Sequence, residues 1–265
     1  MERHADDRLR LIPGRVARIE INHPARRNAI SQAMWAALPA ICATIAADLA
    51  IRVVLLCAAD QPGVANPTFS AGADISEFAG VYATPASTAA YNRLVRQAQA
   101  ALRDLPRPMI AVVAGACIGG GCGLALACDL RFAAMSAQFA ITPARLGLAY
   151  SPEDTAQLVE KVGPARAKDM LFSARMVPAS EALAIGLIDR VEPDADLWRA
   201  VEAYAGALAD LSPRSIATAK ATINALAEPH LRNGAALQQA FDDSFSSADF
   251  AEGRAAFLAR RPPVF

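Results

Sequence analysis

The stretch AGACIGGGCGLALACD, residues 114–129, places three consecutive glycines between two apolar runs. A backbone without side chains at such a point can serve three purposes. It can hold a phosphate group, let a helix pack closely against another element, or expose N–H groups that bind an oxyanion. The rest of the sequence has to decide among these three.

The spacing of the glycines excludes two common phosphate-binding motifs. A dinucleotide-binding G-x-G-x-x-G that starts at Gly121 would need a glycine at position 126, where the sequence has Leu126. A P-loop would need a Gly-Lys-Ser/Thr triplet, and no lysine lies near the glycines. Close helix packing and oxyanion binding therefore stay open.

A second stretch has the same character. SAGAD, residues 70–74, also follows a strand-like run and precedes a helical pattern. At both turns, free N–H groups at the start of a helix favour negative charge. Two such turns can supply one N–H each to a single carbonyl oxygen, which favours the oxyanion interpretation.

Composition bounds the class of protein. With 265 residues, of which 54% are hydrophobic, the chain can form one large domain with a substantial core. The 26 basic and 26 acidic residues balance, so no overall field favours nucleic acid or an anionic membrane as a partner. No apolar run reaches the ~18 residues of a spanning helix, and the polar start is unlike a signal peptide, which predicts a cytoplasmic protein.

Metal and Ser-His chemistry find little support in the sequence. The five cysteines lie in apolar runs without a C-x-x-C pair, which predicts buried thiols. The three histidines lie far apart, and neither a zinc-binding His pair nor a G-x-S-x-G motif is present. We therefore expect no protein-bound metal.

The hydrophobic pattern predicts an α/β core followed by a helical C-terminal part. Strand-like runs such as RVVLLCAA and MIAVVAG alternate with helical patterns, and beyond Pro152 the periodicity is helical almost throughout. Ser31 is predicted to cap a helix that Pro39 kinks or breaks. A polar, Ala- and Ser-rich stretch, residues 80–90, is predicted to be mobile, with a helix after it over residues 91–105.

Five ordered motifs resemble the crotonase (enoyl-CoA hydratase/isomerase) superfamily. They are INHPARRNAIS, FSAGADI, VAGACIGGGCGLALACDLRFA, GPARAKDMLFSARMVPASEALAIGLIDRV and EGRAAFLARRPPVF, and together they span nearly the whole chain. The resemblance implies a spiral of β-β-α units over residues 1–195 and a C-terminal helical region, 196–265, that builds trimers, often paired into hexamers. It also implies a coenzyme A thioester as the substrate, with no further cofactor.

The resemblance assigns roles to particular residues. The backbone N–H groups of Ala73 and Gly120 would form the oxyanion hole for the thioester carbonyl. Arg27 would lie near the CoA phosphates, and Phe257 and Arg260 match tail positions that reach CoA in relatives, sometimes across a subunit interface. The family's backbone lines the adenine pocket at three further positions, which in this sequence are Ala71, Asp74 and Ile75.

Two glutamates that hydratases of this superfamily use to position and activate water are missing. The first would stand at Gly123 and the second at Pro143. Hydration needs a base for the water and an acid for the α-carbon. We therefore expect a poor hydratase, and a non-catalytic acyl-CoA-binding protein stays open as an alternative.

Tyr150 is the first candidate for chemistry near the acyl group. FAITPARLGLAYSPEDT, residues 139–155, resembles the corresponding segment of methylmalonyl-CoA decarboxylase-like members, whose tyrosine contacts the departing carboxylate. Loss of CO₂ suits a site without glutamates, because a buried anionic side chain would repel the substrate. This favours decarboxylase-like chemistry, and the alternative role for Tyr150 is packing against the loop.

Glu153 is the second candidate. Some 3-enoyl to 2-enoyl-CoA isomerases carry their single base in an S-P-E stretch of this loop, although the stretch comes two residues later here. The same residues are also an ordinary helix start, with Ser151 as the N-cap and acids in the first turn. Asp154 is assigned to that structural role.

Overall fold

The computed structural model describes residues 1–227, 239, 242–243 and 245–261. Within them the chain forms the predicted α/β core followed by a helical C-terminal part. The strands are β1 (Glu2–His4), β2 (Leu9–Ile12), β3 (Val16–Ile21), β4 (Val53–Ala58), β5 (Met109–Val113), β6 (Ala116–Ile118), β7 (Leu130–Ala134), β8 (Gln138–Ala140), β9 (Val177–Pro178) and β10 (Arg190–Glu192). The α-helices are α1 (Gln32–Ala47), α2 (Phe78–Val81), α3 (Pro85–Arg103), α4 (Gly120–Leu126), α5 (Pro152–Ser173), α6 (Ala179–Ala184), α7 (Leu197–Ala209), α8 (Pro213–Ala227) and α9 (Ala248–Leu258).

The larger sheet has the strand order β1-β2-β3-β4-β5-β7-β10. Its first three strands are antiparallel, and the pairs from β3 to β10 are parallel. Every residue of β4 and β5 is buried, as their unbroken apolar sequences require. Parallel strands read this way because helices cover both faces of the sheet.

Two groups of helices provide this cover. On one face, α1 and α3 pack against each other and bury Trp35, Leu38 and Leu102 in the larger core cluster. On the other face, α7 places Leu197 and Val201 against the outer residues of β4, β5 and β7. The smaller sheet, β6-β8-β9, carries the chain from the main sheet into α4 and so positions the glycine stretch.

Of the kink or break predicted at Pro39, the break does not occur. Helix α1 continues from Gln32 to Ala47 with Pro39 inside it, while the predicted N-cap is confirmed by a 3.4 Å hydrogen bond from the Met34 N–H to Ser31 Oγ. A proline inside a helix costs about 3 kcal/mol. Burial of one whole face of α1 offsets that cost, because each large side chain removed from water contributes roughly 1.5–3 kcal/mol.

The prediction of a mobile stretch over residues 80–90 is also wrong. Helix α2 ends within it, and α3 begins at Pro85 instead of residue 91. Thr84 and Ser87 form a reciprocal capping box, in which each side chain accepts a hydrogen bond from the other's backbone N–H. Such a cap satisfies two N–H groups that a helix start otherwise leaves without partners.

None of the helices in the described ranges is long and apolar enough to cross a membrane.

Candidate active site

Two glycine-containing segments lie side by side at the centre of the candidate site. Ser70 pairs with Cys117 in a parallel bridge, in which the Ser70 N–H donates to the Ala116 carbonyl at 3.2 Å. The Ile118 N–H donates to the Ser70 carbonyl at 2.9 Å. The segment after β4 is thereby fixed beside the glycine stretch, with Ser70 paired to the residue 47 positions later, as the oxyanion interpretation requires.

Ala73 and Gly120 each present a backbone N–H to the same space. A parallel bridge holds Ala73 beside Ile30 through the flanking residues, because the Ile30 N–H donates to Gly72 and the Asp74 N–H donates to Ile30. This pattern leaves the Ala73 N–H outside the bridge, and neither it nor the Gly120 N–H donates a hydrogen bond within the described part of the chain. A carbon attached to Gly120 would lie 3.4 Å from the Ala73 nitrogen, so the two donors are close neighbours.

The three consecutive glycines serve three different needs. Gly119 has a φ of +54°, which side chains rarely tolerate, and it turns the chain into α4. Gly121 faces Ser70, whose carbonyl oxygen would lie 2.7 Å from any attached carbon. Gly120, between them, leaves its N–H open to the pocket. Close packing therefore applies at Gly121, while the N–H of Gly120 is placed where it could bind an oxyanion.

An apolar pocket opens in front of these N–H groups. Its walls come from α1, α3, the loop before α5 and the C-terminal segment, and they are rich in aromatic rings. Of the sequence-predicted site residues, it brings together Ala71, Ala73, Ile75, Gly120 and Tyr150. The other described lining residues are Trp35, Gly72, Phe78, Tyr82, Tyr91, Asn92, Val95, Arg96, Gln99, Gly119, Thr142, Pro143, Leu146, Leu148, Ala149, Ser151, Asp154 and Phe245.

Tyr150 lies in this pocket with its hydroxyl next to the oxyanion turn. The phenol donates to the carbonyl of Gly119 over 3.4 Å. Burial raises the pKa of Tyr150 well above its usual value, and the nearby carboxylate of Asp154 raises it further. Tyr150 is therefore a neutral hydrogen-bond donor at ordinary pH.

Asp154 is a pocket residue that sequence reasoning assigned only to the helix start. The cap itself is present, since the Asp154 N–H donates to Ser151 Oγ at 3.0 Å. The carboxylate is buried, and it accepts hydrogen bonds from Gln99 Nε2 at 2.9 Å and from Ser151 Oγ at 2.8 Å. Burial raises the pKa of Asp154 to about 6, although the Ser151 hydrogen bond opposes this shift.

The Gln99–Asp154 pair fills the space beside Gly123. Gly123 is the position that corresponds to the first glutamate of the hydratases. A carbon attached to Gly123 would lie 2.7 Å from Asp154 Oδ1 and would collide with Gln99 Nε2. The site therefore has no room for that glutamate. It does have a carboxyl group at this place, contributed by α5 instead of α4.

Glu153, the proposed isomerase base, is not among the described residues that line the pocket. One of its carboxylate oxygens lies 3.8 Å from Arg96 Nε. The other is buried without a hydrogen-bond partner in the part of the chain that the structure describes. Glu153 thus stands behind the pocket wall, one residue from the carboxylate that lines it.

The predicted CoA contacts fall in two groups. Ala71 and Ile75 line the pocket, and Asp74 lies between them with its carboxylate bonded to the Ser76 N–H and hydroxyl. Arg27 is exposed at the rim, where its carbonyl accepts a hydrogen bond from the Ala71 N–H. The other two predicted contacts lie outside the pocket, exposed at the end of α9, and are Phe257 and Arg260.

No group of three or more His, Cys, Asp or Glu side chains in the described residues could hold a metal ion.

Comparisons with known proteins agree on the family to which this fold belongs. The family model for enoyl-CoA hydratase/isomerase matches residues 12–265. The chain is 33% identical over 251 residues to the enoyl-CoA hydratase/isomerase family protein YngF of Bacillus subtilis, covering 94% of each. This protein belongs to the enoyl-CoA hydratase/isomerase family, and so has the crotonase fold.

Two solved structures are similar to nearly the whole chain. An enoyl-CoA hydratase/isomerase family protein from Hyphomonas neptunium is 38% identical, with a TM-score of 0.78 and 97% of each chain covered. A methylmalonyl-CoA decarboxylase in complex with 2-nitronate-propionyl-CoA is 28% identical, with a TM-score of 0.86 and the same coverage. The chain is therefore similar to an acyl-CoA enzyme along its whole length.

Proposed function

We propose that this protein removes CO₂ from a 2-carboxyacyl-CoA of the methylmalonyl-CoA kind. The observation that carries the proposal is Tyr150, whose hydroxyl lies on the Gly119 carbonyl, one residue before the open N–H of Gly120. Neither Gly123 nor Pro143 can supply the carboxylate that the two-glutamate route to hydration needs. The likeness to a methylmalonyl-CoA decarboxylase supports the same reaction.

The oxyanion hole would drive the proposed step. The bond between carbon 2 and the carboxylate breaks, and its electron pair moves into the thioester to form an enolate. Hydrogen bonds from Ala73 and Gly120 stabilise the negative oxygen as CO₂ departs, and a proton then adds to carbon 2. Loss of one such donor typically costs 10²–10³ in rate, or about 3–4 kcal/mol.

Tyr150 would orient the carboxylate that leaves. Its hydrogen bond to Gly119 is long at 3.4 Å, so the phenol can donate instead to a bound carboxylate at closer range. A carboxylate held out of the thioester plane has its breaking bond aligned with the carbonyl π system. Such alignment lowers the activation free energy substantially, since a misplacement of ~1 Å can lower the rate about 10²-fold.

The size of the pocket favours a short acyl group. The cavity has a volume of about 140 Å³, close to the ~150 Å³ of an apolar cavity that holds benzene. Tyr82, Tyr91 and Phe245 close its far end with aromatic rings. A three- to five-carbon acyl group fits these walls.

Isomerisation of a 3-enoyl-CoA to a 2-enoyl-CoA is the second candidate, and the Asp154 carboxylate favours it. A single base suffices, because the proton that it takes from carbon 2 is returned to carbon 4 of the same dienolate. Asp154 lines the pocket and Glu153 does not, so in this reaction the base would be Asp154.

Product analysis separates the candidates. The purified protein is incubated in D₂O with methylmalonyl-CoA, a short 3-enoyl-CoA and crotonyl-CoA, and products are followed by mass spectrometry. We expect CO₂ loss from methylmalonyl-CoA with at least one deuterium at carbon 2. If only the 3-enoyl-CoA is converted, the reaction is isomerisation and not decarboxylation. Water addition to crotonyl-CoA would contradict both candidates. Binding without turnover would make the protein an acyl-CoA-binding protein.

The C-terminal helix supports a further part of the proposal, a trimer or a pair of trimers. Phe257 and Leu258 on α9 are 52% and 68% exposed, which is unusual for large apolar side chains next to each other. Arg260 lies beside them and away from the pocket of its own chain. A neighbouring subunit would cover the apolar pair and bring Arg260 towards a CoA bound there. Light scattering of the purified protein measures the assembly directly.

A further inference from the structure

We infer that Asp154 is a catalytic acid–base that delivers a proton to carbon 2 of the thioester and removes one from it, an inference that rests on the enolate chemistry proposed above. Sequence reasoning gave this residue only a capping role, and neither hydratase glutamate corresponds to it in sequence.

The position of the carboxyl group is the first argument. Asp154 lines the same pocket as Ala73 and Gly120. Its Oδ1 lies 2.7 Å from where a carbon on Gly123 would be. Gly123 and Gly120 are three residues apart on α4, which places them on one face at a spacing of about 5–6 Å. The carboxyl group therefore lies about one helical turn from the Gly120 N–H. Carbon 2 of a thioester whose carbonyl accepts from that N–H would lie between the two groups.

The surroundings fix the carboxyl group in place. Gln99 on α3 donates to Oδ1 at 2.9 Å and Ser151 donates to Oδ2 at 2.8 Å, so each oxygen keeps a lone pair for another partner. Ser151 itself is held by the Asp154 N–H. A group held from two elements in this way needs little reorganisation when it reacts.

Few other groups in the pocket can move a proton. Asp154 is the only carboxylic acid among the described residues that line it. Tyr150 titrates far too high, since its pKa lies well above its usual value. The thiol of Cys122 contacts the carbonyls of Cys117 and Ala140, at 2.9 Å and 3.3 Å, and does not face the cavity.

The charges around Asp154 allow it to act as either an acid or a base. Burial raises its pKa to about 6, Glu153 contributes in the same direction, and the Ser151 and Gln99 hydrogen bonds oppose it. Tyr150 is neutral, and the cation Arg96 lines the same pocket with its Nε 3.8 Å from Glu153 Oε1. The carboxylate of a bound substrate would raise the pKa further, because two like charges cannot both ionise cheaply. The neutral acid would then meet the substrate without the repulsion expected of a buried anion.

The proton balance follows directly. In decarboxylation the neutral acid gives its proton to carbon 2 of the enolate and is left as a carboxylate, which solvent reprotonates. With a saturated thioester the carboxylate takes a proton from carbon 2 and forms the enolate. The resulting acid exchanges this proton with solvent, and the reverse reaction then returns a solvent-derived proton to carbon 2. Wash-in of deuterium at carbon 2 thus reports on Asp154 without requiring any net reaction.

The test is deuterium exchange at carbon 2 of butyryl-CoA in D₂O, measured by mass spectrometry. We expect Asp154→Asn to lower the exchange rate at least 100-fold while the Kd for butyryl-CoA stays within threefold. Glu160→Gln, which changes an exposed acid on the same helix, should keep exchange within threefold. In the wild type, kcat/KM for exchange should rise with pH through about 6, because the carboxylate is the reacting form.

A second variant keeps the test decisive if Asp154→Asn fails to fold. Gln99→Met removes one hydrogen bond to the carboxylate at similar volume, so the midpoint of the pH profile should move upwards while the plateau rate persists. An unchanged midpoint would overturn the inference, because a merely structural Gln99–Asp154 pair would not set the pH dependence.

Two further outcomes separate this inference from the proposed function. Exchange retained by Asp154→Asn above one tenth of the wild-type rate would overturn the role of Asp154. Butyryl-CoA that binds to the wild type without exchanging would also overturn the role of Asp154. The proposed decarboxylation would still hold in that case if the wild type releases CO₂ from methylmalonyl-CoA.

Discussion

The phenol of Tyr150 donates to the carbonyl of Gly119, the residue that immediately precedes the open N–H of Gly120. One side chain of the loop before α5 is thereby tied to the turn that starts α4. In the proposed reaction, the acyl group lies between this phenol and the open N–H groups. Substitutions at Tyr150 and at the glycines should therefore have different effects on rate and on affinity.

Replacement of Tyr150 by Phe should lower kcat for decarboxylation about 10- to 100-fold, because orientation of the leaving carboxylate is lost. The Kd for propionyl-CoA, which has no carboxylate to orient, should change less than threefold. Both are measurable by steady-state kinetics and calorimetry. Tyr204→Phe is the matched control, since Tyr204 packs on Phe132 away from the pocket. Equal losses of rate and propionyl-CoA affinity would assign Tyr150 to packing.

Replacement of Gly120 by Val should abolish turnover of any thioester. A first carbon fits, at 3.4 Å from the Ala73 nitrogen and 3.5 Å from Trp35, but the branched side chain covers the N–H groups. Loss of one oxyanion donor costs about 10²–10³ in rate, and this change blocks both donors. Circular dichroism should confirm the fold. Turnover within tenfold of the wild type would show that the oxyanion binds elsewhere.

Replacement of Gly123 by Ala should destabilise the protein by about 1–3 kcal/mol, as overpacking does. The added methyl group would push into Gln99 and Asp154. Gly206→Ala on α7 offers a comparison, because a carbon there meets nothing within 4 Å. That variant should be stabilised by roughly 0.5–1 kcal/mol. Urea unfolding at pH 7 measures both changes, and equal effects at the two glycines would contradict the crowding at Gly123.

Asp154 should make the folded state less stable as pH rises. Its pKa is raised from 3.8 to about 6 on folding, so the folded state binds more protons between these values. The stability contributed by the neutral form is full below pH 4 and is lost as pH rises through 6. A shift of roughly two pKa units is worth about 3 kcal/mol. Asp154→Asn should therefore gain about that much relative to the wild type between pH 4 and pH 7.5 in urea unfolding. A difference that stays constant with pH would mean that the folded-state pKa is ordinary.

Replacement of Arg27 by Ala should weaken coenzyme A binding about three- to tenfold at low salt. The side chain is exposed at the rim of the pocket, so its attraction for the CoA phosphates is screened as ionic strength rises. Calorimetry at 20 mM and 500 mM salt, values chosen on either side of strong screening, should show the effect shrinking. Arg199→Ala, an exposed arginine on α7, should leave the affinity unchanged. A loss that does not depend on salt would assign Arg27 to the backbone turn instead.

The backbone part of the candidate site was within reach of the sequence, whereas the proposed acid–base group was not. Glycine patterns before and after strands point to Ala73 and Gly120 because exposed N–H groups need that local backbone. The sequence around Asp154 is an ordinary helix start, and this pattern alone explains an acidic residue at position 154. Its place in the pocket depends on Gln99, which approaches from a helix 55 residues earlier. Periodicity along one segment carries no information about such an approach.

The same limit explains the errors in the fold. Pro39 breaks a helix by local rules, yet one buried face holds α1 together across it. Residues 80–90 are polar and rich in alanine, so they lacked apolar periodicity. Thr84 and Ser87 were the available signal, since a capping box can be read from sequence.

Phe245 lines the same pocket as Ala71, although 174 residues of chain separate them. During synthesis, the two N–H turns and α5 leave the ribosome long before the wall that Phe245 completes. A nascent chain can therefore hold the reacting groups without a closed chamber around them. The chamber therefore closes only after synthesis has passed residue 245.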